Sequence, residues 1–153
     1  MQVSQNSILR EKIQVSGYEK LKIGDFCYIG PNANIHAEGG VEISDGTIIG
    51  PGVIVYSTNH EYKNEKTLPY SSDIVYKNVF IGKGCWIGES VMLSPGVSVG
   101  DGSVVAMGAV LFGKYPSGVL IMGNPAKVVK VIRNNTEIEI EILNKNFYLK
   151  GKK

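Results

Sequence analysis

A chain of 153 residues is the length of one domain with room for a full core. Charged residues at 20% and apolar residues at 43% are ordinary for a soluble globular protein and exclude a disordered chain. A net charge of +2 gives no reason to expect nucleic acid or an anionic membrane as a partner. Met1 to Lys12 is polar and lacks the apolar stretch of a secretory signal, and no apolar run approaches the ~20 residues of a membrane span. Cys27 and Cys85 are too few for a disulfide framework. The expectation is a cytoplasmic protein with reduced thiols, no transmembrane segment and a single domain.

Residues 1–20 read as a lead-in. From Ile23 onward aliphatic residues recur every six positions: Ile23, Ile29, Ile35, then Ile43, Ile49, Val55, then Ile81, Ile87, Leu93, Val99, Val105 and Leu111. Four residues after each comes a small side chain in ten of the twelve cases, the exceptions being Asn59 and Tyr115. Three residues after come Asn32, Gly46, Gly52, Gly84, Gly96, Gly102 and Gly108, the residue types that enter positive φ most easily. A short strand and a corner, three times over, closes a triangular coil of 18 residues. A period of six is neither 3.6 nor 7, and recurrent glycine argues further against helix. The pattern predicts an all-β fold over 21–122, a left-handed parallel β-helix of hexapeptide repeats, against the usual right-handed preference for parallel crossovers.

Two intervals break the period. Ile35 to Ile43 spans eight residues, a bulge at Gly39-Gly40; Val55 to Ile81 spans twenty-six. The second break inserts a polar loop, 60–78, of a length that is usually functional in a regular solenoid. After Gly123-Asn124-Pro125, residues 123–153 are expected to give a last strand near Val128–Ile132 and a short tail. Asn135 or Thr136 followed by Glu139 suggests a capped helix there, covering the end of the solenoid or a neighbouring subunit.

His60 opens the loop directly after Asn59, where the small-residue rule fails, and an imidazole suits removal of a proton from an alcohol. The competing reading is a solvated loop histidine. His36, the other histidine, follows the inward Ile35 and reads as a surface residue or a support. Between Asp101 and Glu137 the only charges are basic, Lys114, Lys127, Lys130 and Arg133; they suit cofactor phosphates or form a solvated basic face. Trp86 is the sole tryptophan, at an outward position that fits a subunit interface, a sugar-stacking surface or neither. Both cysteines fall at inward positions and read as packing.

The Ile-Gly hexads, Asn59-His60 at the mouth of a loop, the run Val79 to Gly88 containing Trp86-Ile87-Gly88, Leu93-Ser94-Pro95-Gly96-Val97 and the closing Gly123-Asn124-Pro125-Ala126-Lys127 carry a resemblance. Over residues 21–133 the chain resembles the hexapeptide-repeat acyltransferases, in the galactoside, maltose and polysaccharide O-acetyltransferase branch. The resemblance implies acetyl-CoA as donor, no metal in the chemistry, and His60 as the general base that deprotonates a sugar or polysaccharide hydroxyl. It also implies that the backbone N–H of Glu89 faces the thioester oxygen, that Met107 and Gly108 line the pantetheine arm, and that Lys127 and Lys130 meet the nucleotide end. Asn34, Asn59 and Trp86 fall near the acceptor. The same resemblance implies a homotrimer with the active site between subunits. Two departures stand out: Phe112-Gly113-Lys114 replaces the usual Thr-Lys-Asp, and no helical segment precedes the hexads.

Three rival functions remain on this fold. A zinc carbonic anhydrase needs three histidine ligands, and this chain has two histidines. An N-acetyltransferase acting on an amino sugar keeps the donor and changes the acceptor. A non-catalytic β-helix scaffold would bind no acetyl-CoA.

Overall fold

The computed structural model describes residues 1–63 and 66–151; part of the predicted 60–78 loop and the last two residues of the tail lie outside the described residues. Each hexad forms a strand of two or three residues and then a corner. The strands stack into three parallel sheets, the walls of a left-handed triangular prism. The first face holds Gln2–Val3, Leu21–Ile23, Val41–Ile43, Val79–Ile81, Ser98–Val99 and Lys114–Tyr115. The second holds Ile8–Leu9, Tyr28–Ile29, Ile48–Ile49, Trp86–Ile87, Val104–Val105 and Val119–Gly123; the third holds Gln14–Ser16, Asn34–His36, Ile54–Tyr56, Met92–Leu93 and Val110–Leu111.

Corner geometry follows from residue type. Asn32, Gly46, Gly52, Gly84, Gly96, Gly102 and Gly108 all have positive φ, and the same position is held at positive φ by Phe26 and Ser90. The aliphatic series points inward and stacks in register, as in Ile29, Ile49, Ile87, Val105 and Ile121 down the second face. Each such side chain is fully buried, which contributes about 1.5–3 kcal/mol apiece. The inward polar residues are satisfied: Thr47 Oγ1 donates to Gly82 O at 2.7 Å and accepts from Cys85 N at 3.2 Å, and Ser103 Oγ donates to Pro116 O at 3.0 Å.

Several expectations need correction. Residues 1–20 are no lead-in: Gln2–Val3, Ile8–Leu9 and Gln14–Ser16 pair in parallel with the coil below and form the first turn of the prism. Their inward residues Val3, Leu9 and Val15 keep the six-residue spacing and are partly exposed. Asn59 is not a failed inward position. The chain leaves the wall at Ser57, which is buried, and rises as an antiparallel ribbon of Thr58–His60 and Ile74–Tyr76 before returning at Val79. His60 therefore sits in a strand of that ribbon. Tyr115 breaks the small-residue rule at the last coil, where its hydroxyl donates to Ala126 O at 3.1 Å and accepts from Phe112 N at 3.2 Å.

The closing segment is a hairpin, Val119–Gly123 against Ala126–Val131. The tail is a helix over Asn135–Leu143, but its cap lies upstream of the expected residues: Asn134 Oδ1 accepts from Glu137 N at 2.9 Å, and Glu137 Oε2 accepts from Asn134 N at 3.1 Å. The tail also does not cover the end of the prism. It runs back along the corner between the first and second faces. Ile138 packs on Gly102 and Gly118, and Phe147 lies so close over Gly46 that a Cβ there would meet its ring at 2.0 Å.

Candidate active site

The ribbon gives the corner between the third and first faces a hollow of about 340 Å³, lined by Asn59, His60, Tyr62, Lys77, Pro95 and Phe112 among others. His60 is exposed, and its ring stacks on Tyr70 with centroids 3.8 Å apart and planes 16° apart. Its backbone N–H donates to Asn59 Oδ1 at 3.0 Å. Sequence reasoning missed Tyr70 and Phe112; no periodic signal marks either, since both reach His60 only through the folded ribbon and the neighbouring coil.

His36 differs from His60 in every respect that matters for proton transfer. It is half-buried, stacked on Tyr56 at 4.0 Å, with Nδ1 3.0 Å from Ser16 Oγ. Ser16 also bonds the Glu38 carboxylate, and this bond, more than the nearby His36 and Lys20, holds Glu38 below the usual carboxylate range.

The other predicted residues stand elsewhere. Glu89, Met107 and Gly108 lie at the corner between the second and third faces, in consecutive coils ~4.8 Å apart. Down this corner the coils carry Glu11, Pro31, Pro51, Glu89 and Met107; the two prolines have no N–H, whereas Glu89 and Met107 keep theirs. Neither N–H finds a backbone or side-chain acceptor among the described residues. Met107 is 72% exposed, and a Cβ on Gly108 would meet nothing within 4 Å, so this rim is open. Lys127 and Lys130 are exposed on the closing strand, one coil further along the second face. Trp86 is 58% exposed on the second face, and Asn34 lines a separate shallow hollow on the third with Gln14 and Ile54. Within one chain, Asn59 and His60 share a site that Glu89, Met107, Gly108, Lys127, Lys130, Trp86 and Asn34 do not line.

Two family profiles match the chain: the hexapeptide repeat of succinyl-transferase over residues 20–57 and the bacterial transferase hexapeptide over residues 78–113. The chain carries the repeats of the hexapeptide transferases and is similar to acyltransferases built on them. Solved structures show the same likeness. A hexapeptide-repeat-containing acetyltransferase of Vibrio cholerae, complexed with acetyl coenzyme A, is 25% identical over 84% of this chain and 69% of that one, with a TM-score of 0.77. A maltose O-acetyltransferase of Clostridium difficile is 27% identical over 87% and 70%, with a TM-score of 0.74. A galactoside acetyltransferase in complex with coenzyme A is 26% identical over 89% and 67%, with a TM-score of 0.79. Among the described residues, no cluster of three or more His, Cys, Asp and Glu could hold a metal ion, and no helix is long and apolar enough to cross a membrane.

Proposed function

We propose that this acyltransferase moves the acetyl group of acetyl-CoA directly to a hydroxyl of a sugar or polysaccharide precursor, with His60 as general base, in a homotrimer whose active sites lie between chains. The observation that carries the reading is the division of the site residues between two corners of one prism. The base stands at the corner of the third and first faces, and the free N–H groups of Glu89 and Met107 stand at the corner of the second and third. Neither half completes a site alone.

A second chain supplies the missing half. The second face turns Ile8, Ile48, Trp86 and Val104 outward, and the third turns out Ile54, Met92 and Val110, whereas the first presents Lys22, Glu42 and Ser98 around a half-buried Phe80. Three prisms packed side by side about a threefold axis cover part of these stripes and set the ribbon of one chain beside the open rim of the next. Trp86 arrives with the neighbour's rim, and Asn34 flanks the acceptor; Asn59, on the other face of the ribbon, accepts the His60 N–H and acts on the acceptor through that strand.

Acetyl-CoA supplies the acetyl group as an activated thioester. A ring nitrogen of His60 takes the acceptor hydroxyl's proton as its oxygen bonds to the acetyl carbon. The carbon–sulfur bond breaks, and the departing sulfur receives that proton. The Glu89 N–H holds the carbonyl oxygen while negative charge grows on it, so the side chain at this position is free to vary. Met107 and Gly108 line the arm of the donor, and Lys127 and Lys130 meet its phosphates. Reliance on acetyl-CoA places the enzyme in the cytoplasm, where the two thiols stay reduced.

The test is His60→Ala. The account predicts a kcat lower by about 10²–10⁴ with an unchanged melting temperature, and a much smaller effect for His36→Ala. A folded His60→Ala enzyme with near-normal turnover would contradict it. Matched hydroxyl and amine acceptors in the same assay separate O- from N-transfer.

A further inference from the structure

Exposed tyrosines gather at one corner of the prism. Tyr18, Tyr56, Tyr62, Tyr70 and Tyr76 are all exposed, and each sits at the turn between the third and first faces or on the ribbon that leaves it. The pleat of the ribbon decides which of them share a surface with the base. His60 pairs with Ile74 and Thr58 pairs with Tyr76, so His60, Ile74 and Tyr76 face one side of the ribbon and Asn59 and Val75 face the other. Tyr76 is the diagonal neighbour of His60 on that side, roughly 7–8 Å away, within reach of a sugar linked to the one at His60.

Beyond Tyr76 the surface continues. Lys20 Nζ lies 5.6 Å from the Tyr76 ring centroid and donates to Glu38 O at 2.8 Å, which holds the ring and the turn together. Tyr18 opens the same short turn, Tyr18–Lys20, and is 63% exposed, as Tyr76 is 58%. His60 and Tyr76 thus share one side of the ribbon, and Tyr18 stands exposed on the turn that Lys20 ties to Tyr76.

The chemistry of this surface selects its occupant. A tyrosine offers a flat apolar face and a hydroxyl at its tip, which suits the apolar ring face and hydroxyl rim of a pyranose. A second copy of the chain is better served by the aliphatic stripes on the second and third faces. We propose that the acceptor is an extended saccharide: while His60 meets the reacting hydroxyl, the flanking sugars stack on Tyr76 and then on Tyr18. This rests on the sugar-hydroxyl reading above and goes beyond it by giving the acceptor a length.

Acetyl transfer to two probe series tests the proposal, glucose to maltohexaose and the β-linked N-acetylglucosamine oligomers of one to six sugars. In the unaltered enzyme kcat/KM rises by about tenfold from one sugar to three in the series it accepts, the size expected from one or two stacked rings. With Tyr18→Ala and Tyr76→Ala combined, the ratio of trisaccharide to monosaccharide falls toward one; with Tyr76→Phe, which keeps the ring face, it persists. Using a ratio removes any common loss from folding or expression. A flat length profile in the unaltered enzyme, or a gain that survives the double substitution, overturns the stacking on Tyr76 and Tyr18 and leaves the sugar reading standing. Failure to acetylate any member of either series, with acetyl-CoA still bound in a thermal-shift titration, removes both.

Discussion

The two histidines separate by environment. His36 has one ring nitrogen committed to Ser16 and its ring covered by Tyr56, while His60 stands in the open with Tyr70 against one face only. The proposed base must reach a hydroxyl brought from solvent, and of the two histidines His60 is the exposed one. The thiols show the opposite design. Cys85 lies inside the prism, where burial pushes its thiol up to about 12, and burial raises Cys27 as well. The neutral thiol is the form the fold favours. The stability this contributes is present at and below the ordinary value near 9, and it is lost as pH climbs from there toward 12. Iodoacetamide at pH 8 is predicted to leave both cysteines unlabelled in the native protein and to label both after denaturation. Rapid native labelling of Cys85 would show that the inner wall opens.

At the scale of elements, the tail clasps the corner between the first and second faces. Phe147 covers Gly46 and meets Phe26 with ring centroids 6.3 Å apart, and Ile138 fills the space over Gly102 and Gly118. Phe147→Ala should therefore cost about 2 kcal/mol in denaturant unfolding, since a large part-buried ring is lost from a fixed seat. No change in the midpoint would mean that the tail contributes nothing to the prism. This arrangement was not legible in the sequence. Gly46, Gly84 and Gly102 were already explained by positive φ at a corner, which concealed their second use as a bed for the tail. The twelve hexads from Ile23 to Leu111 were legible because each repeats one steric requirement. The first coil was not, because Val15 to Ile23 is an eight-residue step and Ile13 occupies a position that is small elsewhere. His60 could be picked out from the break in the period, but its strand and its Tyr70 partner depend on a ribbon whose pairing no hexad dictates.

The whole molecule raises the question of completeness. Hexad counting alone distributes His60 and Glu89 to different corners, and the proposed trimer gives the reason; the fold adds the free N–H groups at one corner and the aromatic ribbon at the other. A monomer would leave two apolar faces wet and two half-sites apart. The most direct test mixes two disabled chains. One carries His60→Ala and an intact rim; the other carries Met107→Trp, which blocks the rim at an exposed position and leaves His60 in place. Each alone is predicted to be inactive. Unfolded together in equal amounts and refolded, they form mixed trimers in which about one site in four joins an intact base to an intact rim, so about a quarter of normal turnover returns. A mixture as inactive as its two components, in trimers verified to be mixed, would contradict a site built between chains.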